Sequence, residues 1–178
     1  MVIRDLGFET RYGQAEEEAL MAFEQELGQP LPADYRRYLL EDGGGWAPRI
    51  KFFQVTGASA ESGIQSTEWQ WINEFLEWRR EPRVAGSLWT EWDTFRTKSP
   101  GDYGLPPEVL PIASATGGAY RLLLGIAGAA RGHLFYCDIN SRPEFVDWAY
   151  LPRAAASFDS WPSTVVGAGA VPEDYRDV

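Results

Sequence analysis

The stretch Leu27-Gly28-Gln29-Pro30-Leu31-Pro32-Ala33-Asp34-Tyr35-Arg36-Arg37-Tyr38-Leu39-Leu40-Glu41-Asp42-Gly43-Gly44 constrains the fold of this 178-residue chain more than any other. Gly28 suits the position just past a helix end, where a positive φ is needed. Pro32 suits the first turn of the next helix, where a missing N–H costs nothing. Tyr35, Tyr38 and Leu39 then recur at i, i+3 and i+4 and share one face. Gly43 and Gly44 stop that helix. Upstream, residues 15–27 read as a helix whose inward stripe is Leu20, Phe23 and Leu27, with Ala19 beside it. Glu16, Glu17 and Glu18 stand in its first turn, where the helix dipole favours negative charge. The two helices form an αα-hairpin closed by LGQPLP and ended by EDGGG.

The remainder reads as strands with further helices among them. Val2, Ile3, Leu6 and Phe8 offer an edge strand. Residues 49–55 form a strand with Ile50, Phe52 and Gln54 on one face and Lys51, Phe53 and Val55 on the other. Residues 56–66 are small and polar, hence loop. Thr67 and Gln70 match a capping box, which predicts a helix from Glu68 to about Trp78 carrying Trp71, Phe75 and Trp78, with Pro82 beyond its end. Residues 87–96 fit a helix through Trp89, Trp92 and Arg96, although the segment is short. Ser99-Pro100-Gly101-Asp102 is a turn and Leu105-Pro106-Pro107 a rigid connector. Strands follow at 109–113, 119–126, 133–139 and 145–150, the last alternating Val146, Trp148 and Tyr150. Tyr120-Arg121-Leu122-Leu123-Leu124 is nearly all apolar, as a central strand would be. Gly128-Ala129-Ala130-Arg131-Gly132 is a hairpin-length loop. Residues 153–166 suggest a last helix bent near Pro162, and 167–178 a loose tail.

Helices early and strands late, joined by short loops, define an α+β class with a mainly antiparallel sheet. One domain over 1–178 is the simplest division. The expected core is Leu20, Phe23, Leu27, Tyr35, Leu39, Phe52, Ile112, Leu122, Leu124, Phe135 and Phe158.

An acidic helix, then L-G-x-x-L-P-x-D-Y-R-x-Y-L-L, then a glycine-rich stop, resembles the opening of SMI1/KNR4 (SUKH) domains. Leu110-Pro111-Ile112-Ala113, the Gly117-Gly118 pair and Gly132-His133-Leu134-Phe135-Tyr136-Cys137-Asp138 resemble that family's strands in order. Ser157-Phe158-Asp159-Ser160-Trp161 resembles its closing segment. The likeness runs from about Glu16 to Trp161. It departs at Ala119, where an acid is common, so a role tied to that acid does not carry over. The resemblance implies an α+β fold. It also implies a binding role, since many bacterial members look like immunity partners of contact-dependent or polymorphic toxins. Fungal relatives imply a regulatory scaffold instead.

The charge narrows the partners. A net charge of −10, with a pI near 4.6, repels DNA, RNA and anionic lipid and attracts a basic protein. No apolar run is long enough to span a bilayer. The opening Met-Val-Ile-Arg-Asp-Leu-Gly-Phe-Glu-Thr lacks the apolar run of a secretory signal. A single cysteine, Cys137, excludes an intrachain disulfide and fits a reducing cytoplasm.

Catalytic patterns are weak. His133 and Cys137 lie four residues apart on one strand, roughly 13 Å at strand rise, too far for a dyad. Gly57-Ala58-Ser59-Ala60 begins like a nucleophile elbow, but Glu61 replaces the final glycine. Gly167-Ala168-Gly169 lacks the helix and second strand of a dinucleotide site, and Gly125, Gly128 and Gly132 lack phosphate-loop spacing. One His and one Cys make no zinc pattern. No catalytic residue, metal or cofactor is expected. A carboxylate-based hydrolase stays open as an alternative, because acids are plentiful and no spacing fixes a pair.

The segment from Trp69 to Trp92 interleaves tryptophans with acids, a composition suited either to core or to a hot spot for a basic partner. Partner contacts are therefore expected at Glu16, Glu17, Glu24, Glu68, Trp69, Glu91 and Trp92. The leading reading is a non-enzymatic immunity protein that binds a basic, nuclease-type toxin.

Overall fold

The computed structural model describes residues 3–10, 13–58, 65–78, 87–97, 104–118, 120–138 and 151–175. The expected turn at 99–102, the strand at 145–150, Pro82, Ala119 and the Ser59-Ala60-Glu61 part of the elbow motif lie outside these residues. The chain runs α1 (Glu17–Leu27), α2 (Ala33–Glu41), β1 (Gly45–Ala58), β2 (Gln65–Phe75), α3 (Leu88–Arg96), β3 (Val109–Ala115), β4 (Tyr120–Gly125), β5 (Leu134–Asp138) and β6 (Arg153–Ala155).

The αα-hairpin forms as the sequence dictates. Gly28 follows α1 at φ 74°, and the N–H groups of Gly28 and Gln29 cap the carbonyls of Gln25 and Glu24. The connection is fastened from outside. Arg131, in the β4–β5 loop, donates to the carbonyls of Pro30 and Leu31 at 3.0 and 3.2 Å. Leu20, Phe23, Tyr35 and Leu39 are fully buried in the main core, and Leu27 is half-buried against it.

The six strands pair in sequence order, all antiparallel, and β6 bridges β5 back to β1, so the sheet closes into a barrel. β4 is an interior strand between β3 and β5, and closure gives every other strand two neighbours as well. Phe53, Val55, Ile72, Ala113, Ala115, Leu122, Leu124, Leu134 and Tyr136 belong to one buried cluster together with the helices. Val109, Leu123, Ala130, Phe135 and Cys137 form a second, smaller cluster.

Two expected helices are corrected. Residues 65–75 are strand, paired to β1 in ten register positions. The Trp71, Phe75, Trp78 spacing fitted a helix, but the run is rich in aromatic and β-branched residues, and pairing with a long neighbour overrides a local pattern. The capping box is not made; Gln70 bonds across the barrel instead. Residues 153–166 are also not a helix. After β6, Ser157 and Ser160 exchange side-chain bonds with each other's backbone N–H, an alternative that competes with helical pairing. A 3-10 turn over Trp161–Thr164 follows, and Val166 then pairs with Phe52 at 3.0 and 2.8 Å.

Smaller expectations also shift. The 56–66 loop is shorter, because strand runs to Ala58 and resumes at Gln65. In place of the N-terminal edge strand, the described residues form a 3-10 turn over Ile3–Leu6 and a single bridge between Glu9 and Trp46. The tail is anchored: Val171 is buried between short 3-10 turns. Residues 88–96 do form a helix, because the Ser87 hydroxyl accepts from the Thr90 N–H at 3.1 Å.

Candidate protein-binding face

The hairpin gathers the charge. Residues 16–42 hold eight acids and two arginines, a net of −6 out of −10 for the chain. Both arginines are spent internally. Arg36 bonds Glu17 and also reaches Glu24 at 3.2 Å. Arg37 contacts both carboxylate oxygens of Asp159, at 2.7 and 2.8 Å. Glu16, Glu17, Glu18, Glu26 and Glu41 are all exposed, so the hairpin presents a mainly acidic surface.

An apolar side chain stands among them. Met21 on α1 is 52% exposed, the one large hydrophobic so placed among the described residues. Glu17 and Glu18 lie four and three positions before it, on the same helical face. A flexible thioether ringed by acids can adapt its shape to a partner while the rim supplies charge.

The expected contact residues separate into different environments. Glu16 and Glu17 sit on this exposed face. Glu24 is structural: its side chain is only 13% exposed, and it accepts from the Leu31 N–H at 2.9 Å as well as from Arg36. Glu91 is bound to Arg121 at 3.1 Å with both side chains largely covered. Trp92 is core, at 9% exposure, edge-on to Phe23 and overlaid by the Arg96 guanidinium 4.4 Å from its ring centre. The expectation of a surface contact at Trp92 therefore gives way to a packing role. On β2, Glu68 is exposed and Trp69 half-buried, and alternation turns them to opposite faces of the sheet.

Sequence reasoning missed two features. Met21 fell outside the core stripe, and its offset from Leu20 and Phe23 was the available signal. The other is a cleft of about 50 Å³ between α2 and residues 158–162, lined by Asp34, Arg37, Glu41, Asp42 and Asp159 around Tyr38. Nothing local links Asp159 to α2, since the contact spans 122 positions. Burial pushes the Tyr38 hydroxyl well above its ordinary value, with the Asp42 charge adding to the effect. It stays protonated, and the charge of the cleft is that of its carboxylates and Arg37.

The weak catalytic patterns occupy structural places. His133 Nδ1 lies 2.9 Å from the Ala156 carbonyl. Burial pushes the Cys137 thiol up to about 11, the opposite of an activated nucleophile. Gly128–Ala130 and Ala168–Ala170 are 3-10 turns.

A helical hairpin packed on a closed antiparallel sheet, with its charge concentrated on the hairpin, defines an acidic α+β domain. The chain matches the model of the SMI1 / KNR4 family (SUKH-1) over residues 14–163, and it belongs to that family. Among proteins of curated function none is significantly similar to it. Among the described residues no helix is long and apolar enough to cross a membrane.

Proposed function

We propose that this chain is a non-enzymatic immunity protein of the bacterial cytoplasm, which neutralises a basic, nuclease-type toxin of a polymorphic or contact-dependent system by binding it directly. The observation that carries this reading is Met21, half-exposed on α1 beside the exposed acids Glu17 and Glu18. Family membership supports it, since the family resemblance implies binding and immunity roles. Toxin nucleases are basic because they bind nucleic acid, so an acidic blocker steers onto them rapidly. The experiment is association kinetics between the purified chain and the toxin encoded beside its gene. The reading expects a one-to-one complex whose association rate falls steeply between low and high salt. Met21→Lys should speed dissociation, and Glu17→Lys with Glu18→Lys should slow association. A salt-independent rate, or several weak partners, would favour a regulatory scaffold instead.

A further inference from the structure

The cleft between α2 and residues 158–162 is a bounded cavity as well as a group of acids. Asp34, Arg37, Tyr38 and Glu41 recur at i, i+3, i+4 and i+7 and share one face of α2. That face forms one wall, and Phe158, Asp159 and Pro162 form the other. The walls are tied at the rim. The Asp159 N–H donates to Asp34 Oδ2 at 3.2 Å, and Arg37 holds the Asp159 carboxylate. A space of about 50 Å³ lies between them.

Tyr38 supplies an observation independent of the acids. It is only 5% exposed, and its hydroxyl has no hydrogen-bond partner among the described residues. Its ring packs on Phe158 with centroids 5.1 Å apart. Tyr38 and Asp42 line the same cleft, and the Asp42 charge acts on the hydroxyl. Buried polar groups are almost always paired, and an unpaired one is costly. A ligand that brings a polar atom to this oxygen removes that penalty.

The lining decides the chemistry of that ligand. Its carboxylates outnumber its single guanidinium, so it repels anions and draws in a cation. Among the described residues no three of the His, Cys, Asp and Glu side chains are grouped so as to hold a metal ion, which disfavours a divalent cation. Phe158 and Pro162 are buried apolar surface, suited to the methylenes of a lysine whose charged head lies beyond them. Acceptors are few. Both Asp34 oxygens already accept backbone N–H groups, from Tyr35 at 2.9 Å and from Asp159. Both Asp159 oxygens face Arg37. The three donors of an ammonium fit this supply better than the five of a guanidinium.

Resting on the reading of a basic protein partner, we infer that the cleft between α2 and residues 158–162 receives a lysine side chain of that partner. The lysine methylenes lie along Phe158 and Pro162, and the ammonium donates to the exposed Glu41 carboxylate and to the Tyr38 oxygen. The cleft adjoins the acidic face of α1 through α2. Arg36 binds Glu17 of α1, and Arg37 beside it binds Asp159 at the cleft rim. A partner seated on α1 thus meets the cleft in a fixed position.

The test uses the full chain, labelled with nitrogen-15, and four probes: acetyl-Gly-Lys-Gly-amide, the same peptide with neutral acetyl-lysine, the same peptide with arginine, and calcium chloride. The Asp159 backbone amide, which bridges the two walls, is the reporter. The lysine peptide should shift it saturably. The acetyl-lysine peptide should bind about tenfold more weakly and the arginine peptide about threefold more weakly, while calcium leaves the amide in place. Glu41→Gln and Tyr38→Phe should each weaken lysine binding about threefold or more. Tyr38→Phe should unfold at the same temperature as the native chain or higher, because it deletes a hydroxyl without a partner. The inference is overturned if the lysine peptide causes no saturable shift, if acetyl-lysine or arginine matches it, if calcium produces the same shift, or if either variant binds as tightly as the native chain. Failure here with rescue from toxin intact removes the lysine site alone. Lysine binding with no rescue supports the site and removes the immunity reading instead.

Discussion

Trp92 on α3 packs edge-on against Phe23 on α1, with ring centroids 5.3 Å apart and planes at 84°. Phe23 also meets Trp78 and Trp89, so one phenylalanine ties the hairpin to three tryptophans. Trp92→Ala would empty a core site and should cost about 3–5 kcal/mol in urea unfolding. A loss under about 1 kcal/mol would mean that α3 is not a structural partner of α1.

Two glycines separate conformational strain from collision. A Cβ on Gly28 meets nothing within 4 Å, so Gly28→Ala carries only the cost of a left-handed backbone, about 1–2 kcal/mol. A Cβ on Gly43, at φ +78°, would lie 1.9 Å from the Gly13 carbonyl oxygen. Gly43→Ala should therefore cost about 3 kcal/mol or more. Equal losses in thermal unfolding would contradict the close approach of residues 13–14 to the end of α2.

The hairpin was legible because its signals are local: Gly28, Pro32 and Gly43 mark helix boundaries whatever packs against them. β2 was not, because Trp71, Phe75 and Trp78 fit a helical stripe, and only pairing with β1 decides between the two periods. The acidity of α1 was visible in composition. Which acids are spent was not, because Glu17 and Glu24 meet Arg36 across a turn, and Arg37 meets a residue near the far end of the chain. Core was the favoured reading for each tryptophan of that segment, but the contact that buries Trp92 was not legible until α1 was laid against it.

The Glu17–Arg36 pair leaves an acid signature. Its hydrogen bond to Arg36 holds the Glu17 carboxyl below its usual value. A carboxyl depressed in the folded state contributes stability that is present above the unfolded value and lost as pH falls through the folded one. Stability from this pair should be constant from neutrality to about pH 5 and decline below it. Glu17→Gln should flatten that part of the acid slope, modestly, because the pair is exposed. An unchanged slope would show that the pair contributes nothing in solution.

Cys137 should be silent in the native protein. With its thiol raised to about 11 and its side chain buried, reaction with a thiol reagent at pH 7 should run far slower than for the unfolded chain. Prompt labelling of the folded protein would place β5 at an open surface.

The central claim is that the acidic face around Met21 neutralises a toxin. The most direct measurement is survival of cells expressing the toxin encoded beside this gene, with the native chain, with Met21→Lys and Glu17→Lys combined, or with no partner. The account predicts full rescue by the native chain, little or none by the double variant despite equal folded protein, and no rescue from unrelated toxins. Equal killing with and without the native chain, or full rescue by the double variant, would contradict it.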